Sequence, residues 1–198
     1  MSVVCHGLLF FPHHYCIMEE NISRRKGGKH MSTTPANPKV EAIRLSVQKS
    51  YAELNQLIDG PLARLDISKL YEVPAENEWT IMQILAHIVE LMPYWAGEIE
   101  KLLAAPGENF GRTQQDEVRL RAISEHGTDS LEQIKAALPG SYARLEEVLG
   151  KLKDSDLELT GRHVRFGEKS LEWIINEFVT GHLSGHVEQI KGCLEAVG

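Results

Sequence analysis

From residue 38 onward apolar residues recur every three or four positions, and the interruptions of that rhythm divide the chain into four long helical segments. Asn37-Pro38 supplies an N-cap followed by proline in the first turn. Val40, Ile43, Val47, Tyr51, Leu54 and Ile58 then keep helical spacing until Gly60-Pro61, which predicts the end of the first helix. Thr80-x-x-Gln83 has the form of a capping box, and the apolar run from Ile81 predicts a second helix to about Ala104, ahead of Pro106-Gly107. Pro93 lies inside that run, which predicts a kink and a Val89 carbonyl without its usual amide partner. The third region reads as a helical piece over 113–126, a break at Gly127, and a second piece capped by Asp129-x-x-Glu132. That piece runs to about Leu152, with Pro139-Gly140 kinking or breaking it. Ser170 caps a last helix whose predicted inward stripe is Leu171, Ile175, Phe178, His182, His186, Cys193 and Val197. Four long helices without a strand pattern predict an all-α four-helix bundle. The longer loops at 60–79 and 153–169 are where such a bundle can cross from one end to the other.

Composition adds boundaries to this picture. A chain of 198 residues, 42% hydrophobic and 25% charged, fits one ordinary globular domain. Its first part differs from the rest. Leu8-Leu9-Phe10-Phe11 precedes the basic stretch 24–30, the reverse of a secretory leader, and Met31 opens a polar, proline-bearing segment. Residues 1–37 therefore read as a disordered N-terminal extension, residues 1–30 of it as an upstream or mis-assigned start, and residues 38–198 as the domain. Net charge is −7, with the acidity concentrated beyond residue 38, a balance that disfavours nucleic acid as a partner. Cys5, Cys16 and Cys193 form no paired motif, which fits a reducing cytoplasm. No apolar run reaches the roughly 20 residues a membrane helix needs. An unpaired apolar stripe leaves a homodimer open.

Candidate chemistry centres on three histidines. His182 and His186 are four residues apart, hence about 40° apart on a helix surface, and they interrupt the apolar, core-facing stripe. His87 lies among Ile84, Leu85, Ile88 and Leu91. The pair alone is a weak signal, since nine histidines produce about 0.4 such pairs by chance. Three inward imidazoles are different, because each buried ring nitrogen without a partner costs about 1–3 kcal/mol. Three imidazoles can hold a divalent ion with a position left open. Gly181 and Gly185 precede the two histidines and would permit close helix packing. Glu90 can orient His87, accept a proton from a nucleophile, or face water. Gln189 can hydrogen-bond His186 or remain a partly exposed polar residue. Tyr94 and Trp95 either wall a pocket or belong to the core. Cys193, about 10 Å along the helix from His186, is assigned to packing, and His126 and His163 to solvent or capping roles. The metalloprotease pattern His-Glu-x-x-His is absent because Leu183 stands at the glutamate position.

Two segments resemble the DinB-like (DinB/YfiT) superfamily of metal-binding four-helix proteins. Trp79-Thr80-Ile81-Met82-Gln83-Ile84-Leu85-Ala86-His87-Ile88-Val89-Glu90 is similar to that family's tryptophan-led second helix. Phe178-Val179-Thr180-Gly181-His182-Leu183-Ser184-Gly185-His186-Val187-Glu188-Gln189-Ile190 is similar to its last helix. The resemblance covers about residues 38–198. It implies a crossover topology and one divalent metal bound by His87, His182 and His186, with thiol-dependent transferases and isomerases and hydrolases among relatives. Two functions remain open at this point. One is an enzyme activating water or a low-molecular-weight thiol on a small-molecule substrate. The other is a non-catalytic metal-binding, structural or stress-response bundle. A metal-free bundle is a third reading. Zn, Ni, Fe and Cu suit three histidines almost equally.

Overall fold

The computed structural model describes residues 36–197, so the extension expected over 1–37 lies almost wholly outside the described residues. The long helices are α1 (Pro38–Leu57), α3 (Ile81–Ala104), α5 (Leu131–Leu149) and a last helix in two parts, α6 (Leu171–Ile175) and α7 (Gly181–Val197). Short helices α2 (Ile67–Leu70) and α4 (Glu117–His126) lie between them. α3 packs on α5 and α7, and α1 packs on the same two helices. The four long helices thus form a ring in the order α1, α7, α3, α5, with chain neighbours α1 and α3 diagonal to each other. This is a four-helix bundle with crossovers, made by 60–79 and 153–169 as the loop lengths predicted.

α3 is the central element. Capped at its N-terminus by the reciprocal pair Thr80 and Gln83, it buries nearly every residue from Ile81 to Ile88, because α4, α5 and α7 cover it from different sides. Pro93 and Pro139 both sit on exposed faces of unbroken helices, where water can replace the lost amide. The first helix departs from expectation at both ends. Asn37 makes no side-chain cap; instead the Asp154 carboxylate accepts from the Lys39 and Val40 amides at 3.2 and 3.0 Å. Its end is not at Gly60-Pro61 either, since a π turn over Ile58–Leu62 absorbs Pro61. The wider turn accommodates a residue that has no amide to donate. The α5 cap is Ser130 with Gln133, one residue later than Asp129 with Glu132.

The segment 153–169, expected to be irregular, contains a hairpin of β2 (Thr160–His163) and β3 (Gly167–Ser170), and β1 (Asn109–Phe110) joins it parallel to β2. Its strands are short and polar, so apolar alternation gave no signal. Gly161 explains how closely it docks: a Cβ there would lie 2.2 Å from Leu102 Cδ2 on α3.

A second π turn, Asn176–Thr180, separates α6 from α7. Its extra residue shifts the helical register, so the buried stripe runs through Ile174, Val179 and Leu183, while Phe178 and His182 lie at its edge. Gly181 serves this turn instead of helix–helix packing, because a Cβ on it would meet the Asn176 carbonyl oxygen at 2.8 Å.

Candidate metal centre

The centre forms where α3 meets the start of α7. The apolar coat of α3 buries His87 to 1% exposure, α7 buries His186, and the π turn leaves His182 half-buried at the rim. Each of the three offers one ring nitrogen, and those nitrogens lie within 4.8 Å of one another. The ring of His87 is 5.0 Å from that of His186 and 5.4 Å from that of His182. The structure therefore brings together the three residues singled out in the sequence.

A hydrogen bond prepares one of these rings to donate a lone pair. His186 Nδ1 lies 2.9 Å from Gln189 Oε1, so that nitrogen carries the proton and Nε2 is left as the electron-pair donor. Both ring nitrogens of His87 and Nε2 of His186 are buried without a hydrogen-bonding protein partner. Burial, followed by the charge of His186 and then of Arg119 and Arg112, holds His87 well below the ordinary histidine range. His182 is held down likewise by burial, the other two imidazoles and the same arginines. Burial lowers His186 to about 4, against the opposing effect of its Gln189 hydrogen bond. At neutral pH all three imidazoles are uncharged, the form that ligates a metal. The donor set and its orphaned nitrogens fit a divalent ion.

Around the rings lies a shell that sequence reading captured in part. Glu90 Oε2 stands 3.6 Å from His87 Nδ1, too far for a hydrogen bond, and both its oxygens accept from Arg112 at 2.6 Å. Arg112 also covers the face of Tyr94 at 3.7 Å and reaches Asp116 at 3.5 Å. Burial pushes the Tyr94 phenol well above its usual range, Glu98 adding to the effect. Trp95 is buried in the core and stacks on Phe178. Trp79 lies edge-on to His87 at 5.3 Å and stacks near His186 at 6.2 Å, with the Arg119 guanidinium 5.1 Å from its own ring. Arg112 and Arg119 were not foreseen. Arg112 reaches the site from the polar stretch between β1 and α4, where no helical period marks a direction, and Arg119 from the first turn of α4, whose packing against α3 the sequence did not show. His163 departs from its expected solvated or capping place at a helix end: it is 3% exposed, stacks on Phe178, and accepts the Arg165 amide at 3.0 Å through Nδ1. His126 is exposed and pairs with Asp129, and Cys193 is buried.

Comparison with known proteins agrees with this architecture. A family model described as the DinB superfamily matches residues 33–190. The structure is similar to that of YfiT from Bacillus subtilis, described as a probable metal-dependent hydrolase with an unusual four-helix bundle topology. The two share 17% identity at a TM-score of 0.66, covering 88% of this chain and 94% of that one. It is also similar to a mutant of the mycothiol-dependent maleylpyruvate isomerase, at 13% identity and a TM-score of 0.52, covering 83% of this chain and 61% of that one. Identities this low carry the fold alone. No curated protein sequence matches the chain.

Proposed function

The chain belongs to the DinB superfamily, and we propose that it is a cytoplasmic metal-dependent enzyme in which His87, His182 and His186 hold one divalent ion. The ion is zinc, nickel or iron, and the reaction is of hydrolase or thiol-transferase type on a small-molecule substrate. The observation that carries this reading is the set of buried ring nitrogens without protein partners, on His87 and His186, beside a third imidazole at the rim. A bound ion would supply Lewis acidity, lowering the pKa of a water or thiol beside it.

The protein's own groups have separable tasks in this scheme. Gln189 fixes the tautomer of His186. Glu90, with both oxygens committed to Arg112 and no hydrogen bond to His87, holds Arg112 beside the site and is poorly placed to take a proton. Half-buried His182 and Tyr94 lie toward the accessible side. The competing reading is a purely structural ion. Such sites are closed by four protein ligands, whereas among the described residues the cluster contains three. A ligand position left over favours catalysis.

The test is metal content by inductively coupled plasma mass spectrometry on protein purified without chelator or a nickel column, beside His87→Ala and His182→Ala. About one equivalent in the wild type, lost in both variants, is expected. A screen of ester and thiol-transfer substrates follows. Wild-type protein that neither contains metal nor binds it on reconstitution would refute the proposal.

A further inference from the structure

We infer that His163 is a proton-controlled clip. Its neutral ring holds the turn between β2 and β3 against the Gly111 turn and so keeps Arg112 in place beside the metal centre; a proton on the ring releases both turns. Such a device lies outside the function proposed above and needs no bound ion. His163 is 3% exposed at the end of β2, in register with Phe110 of β1. Its Nδ1 accepts two amides of the turn that follows, Arg165 at 3.0 Å and Phe166 at 3.3 Å, so the ring proton sits on Nε2. That edge of the ring abuts Gly111, where a Cβ would lie 2.5 Å from Cδ2 and 2.7 Å from Nε2 of His163. Gly111 itself has φ +76° and donates its amide to Glu98 on α3. The next residue, Arg112, is 10% exposed, pairs bidentately with Glu90 and covers Tyr94. Contacts thus run unbroken from the hairpin to Glu90, 3.6 Å from His87 Nδ1.

Packing alone does not call for histidine here. The ring stacks on Phe178 at 4.9 Å and meets Phe110 at 5.2 Å and Phe166 at 5.0 Å, surroundings that a phenylalanine would suit equally well. Histidine adds an acceptor that a proton can cancel. An imidazolium donates from both nitrogens, so it would turn a third N–H toward the two amides and lose both hydrogen bonds. The charged groups facing the ring are Arg165, from its own turn, and Glu98, from α3, itself paired with Lys101 at 3.7 Å. Phe110, Gly111, Phe166 and Phe178 bring no charge. Burial first and then Arg165 oppose protonation, against Glu98, so the ring titrates below the ordinary histidine value. The released state therefore binds the proton more readily than the clipped one. The clip weakens as pH falls below about 6.5, by up to about tenfold per pH unit.

The test is amide hydrogen exchange followed by NMR on the full chain in EDTA, at pH 7.5 and 5.5, for wild type, His163→Asn and His163→Phe. Asparagine places an oxygen where Nδ1 stands but takes no proton; phenylalanine keeps a ring and removes the acceptor. Dividing each wild-type rate by that of His163→Asn at the same pH removes the acid loosening that the three cluster histidines cause in both proteins. The divided rates of the Arg165, Phe166 and Gly111 amides are expected to rise several-fold, up to about tenfold, from pH 7.5 to 5.5. In His163→Phe these amides should exchange faster than in wild type at pH 7.5. Wild type alone gives a second reading. Nitrogen NMR shifts should show Nδ1 unprotonated at pH 7.5, and its protonation should coincide with shifts at Gly111 and the Arg112 guanidinium. Equal pH dependence in wild type and His163→Asn would overturn the inference, as would a proton on Nδ1 at pH 7.5. A Gly111 amide and Arg112 side chain indifferent to the titration would also overturn it, and so would His163→Phe as protected as wild type.

Discussion

Replacing Gln189 with leucine tests whether the amide prepares His186 as a ligand. The side chain keeps roughly its size but loses the oxygen that receives the His186 Nδ1 proton at 2.9 Å. Two costs follow. One neutral hydrogen bond, worth about 1 kcal/mol net, disappears, and the ring becomes free to place its proton on Nε2, the nitrogen a metal needs. Removing such an outer partner lowers metal affinity by about 10–100-fold, which is about 1.4–2.7 kcal/mol. Competition against a chromophoric zinc chelator at pH 7.5 measures this directly. The zinc-dependent rise in Tm should shrink in parallel, because ligand-linked stabilisation follows the affinity. Gln189→Glu, which keeps an acceptor oxygen, should bind zinc at least as tightly as wild type. Wild-type affinity in Gln189→Leu would refute the reasoning, and equal losses in both variants would reduce the effect to packing.

Protonation of the cluster should make the metal-free protein acid-sensitive. Each histidine has a folded pKa below its ordinary value, so the unfolded chain binds protons that the folded one refuses and stability falls as pH drops below about 6.5. With His186 at about 4, the loss from that residue alone between pH 7.5 and 5.5 is about 1.3 kcal/mol. Urea unfolding in the presence of EDTA should show it, and a pH-independent midpoint would contradict it. Arg112→Met leaves Glu90 as a largely buried carboxylate without its bidentate partner and should cost about 3 kcal/mol. The double variant Arg112→Met with Glu90→Gln should recover part of that loss, and a strictly additive cycle would deny the coupling. Asp154→Ala removes the remote cap of α1 and should lower unfolding free energy by about 1–2 kcal/mol at unchanged m-value. An unaltered urea midpoint would show that water caps the helix equally well.

Much of the bundle was legible because helices announce themselves through period and punctuation. Thr80 with Gln83 marked the start of α3, and the apolar run behind it implied that His87 would be buried. Residues brought together by loops left no such trace. Arg112 reaches Glu90 across 22 positions, and Asp154 caps a helix that begins 116 residues earlier; neither pairing has a local period. The π turn before α7 was equally silent, because a single extra residue changes the phase of the stripe without changing its composition. Extrapolation at a constant angle consequently placed Phe178 and His182 further inward than they lie.

The diagonal placement of α1 and α3 makes α7 a spatial neighbour of α3, although residues 105–180 lie between them in the chain. An ion shared by His87 and His182 would close a loop of about 95 residues, so it would act on chain entropy much as a long-range cross-link does. Such contacts are non-local and slow to assemble. If they form after the rate-limiting step, a bound ion would leave the folding rate almost unchanged and retard unfolding. The ion would then act as a kinetic latch on the last helix as well as a reagent.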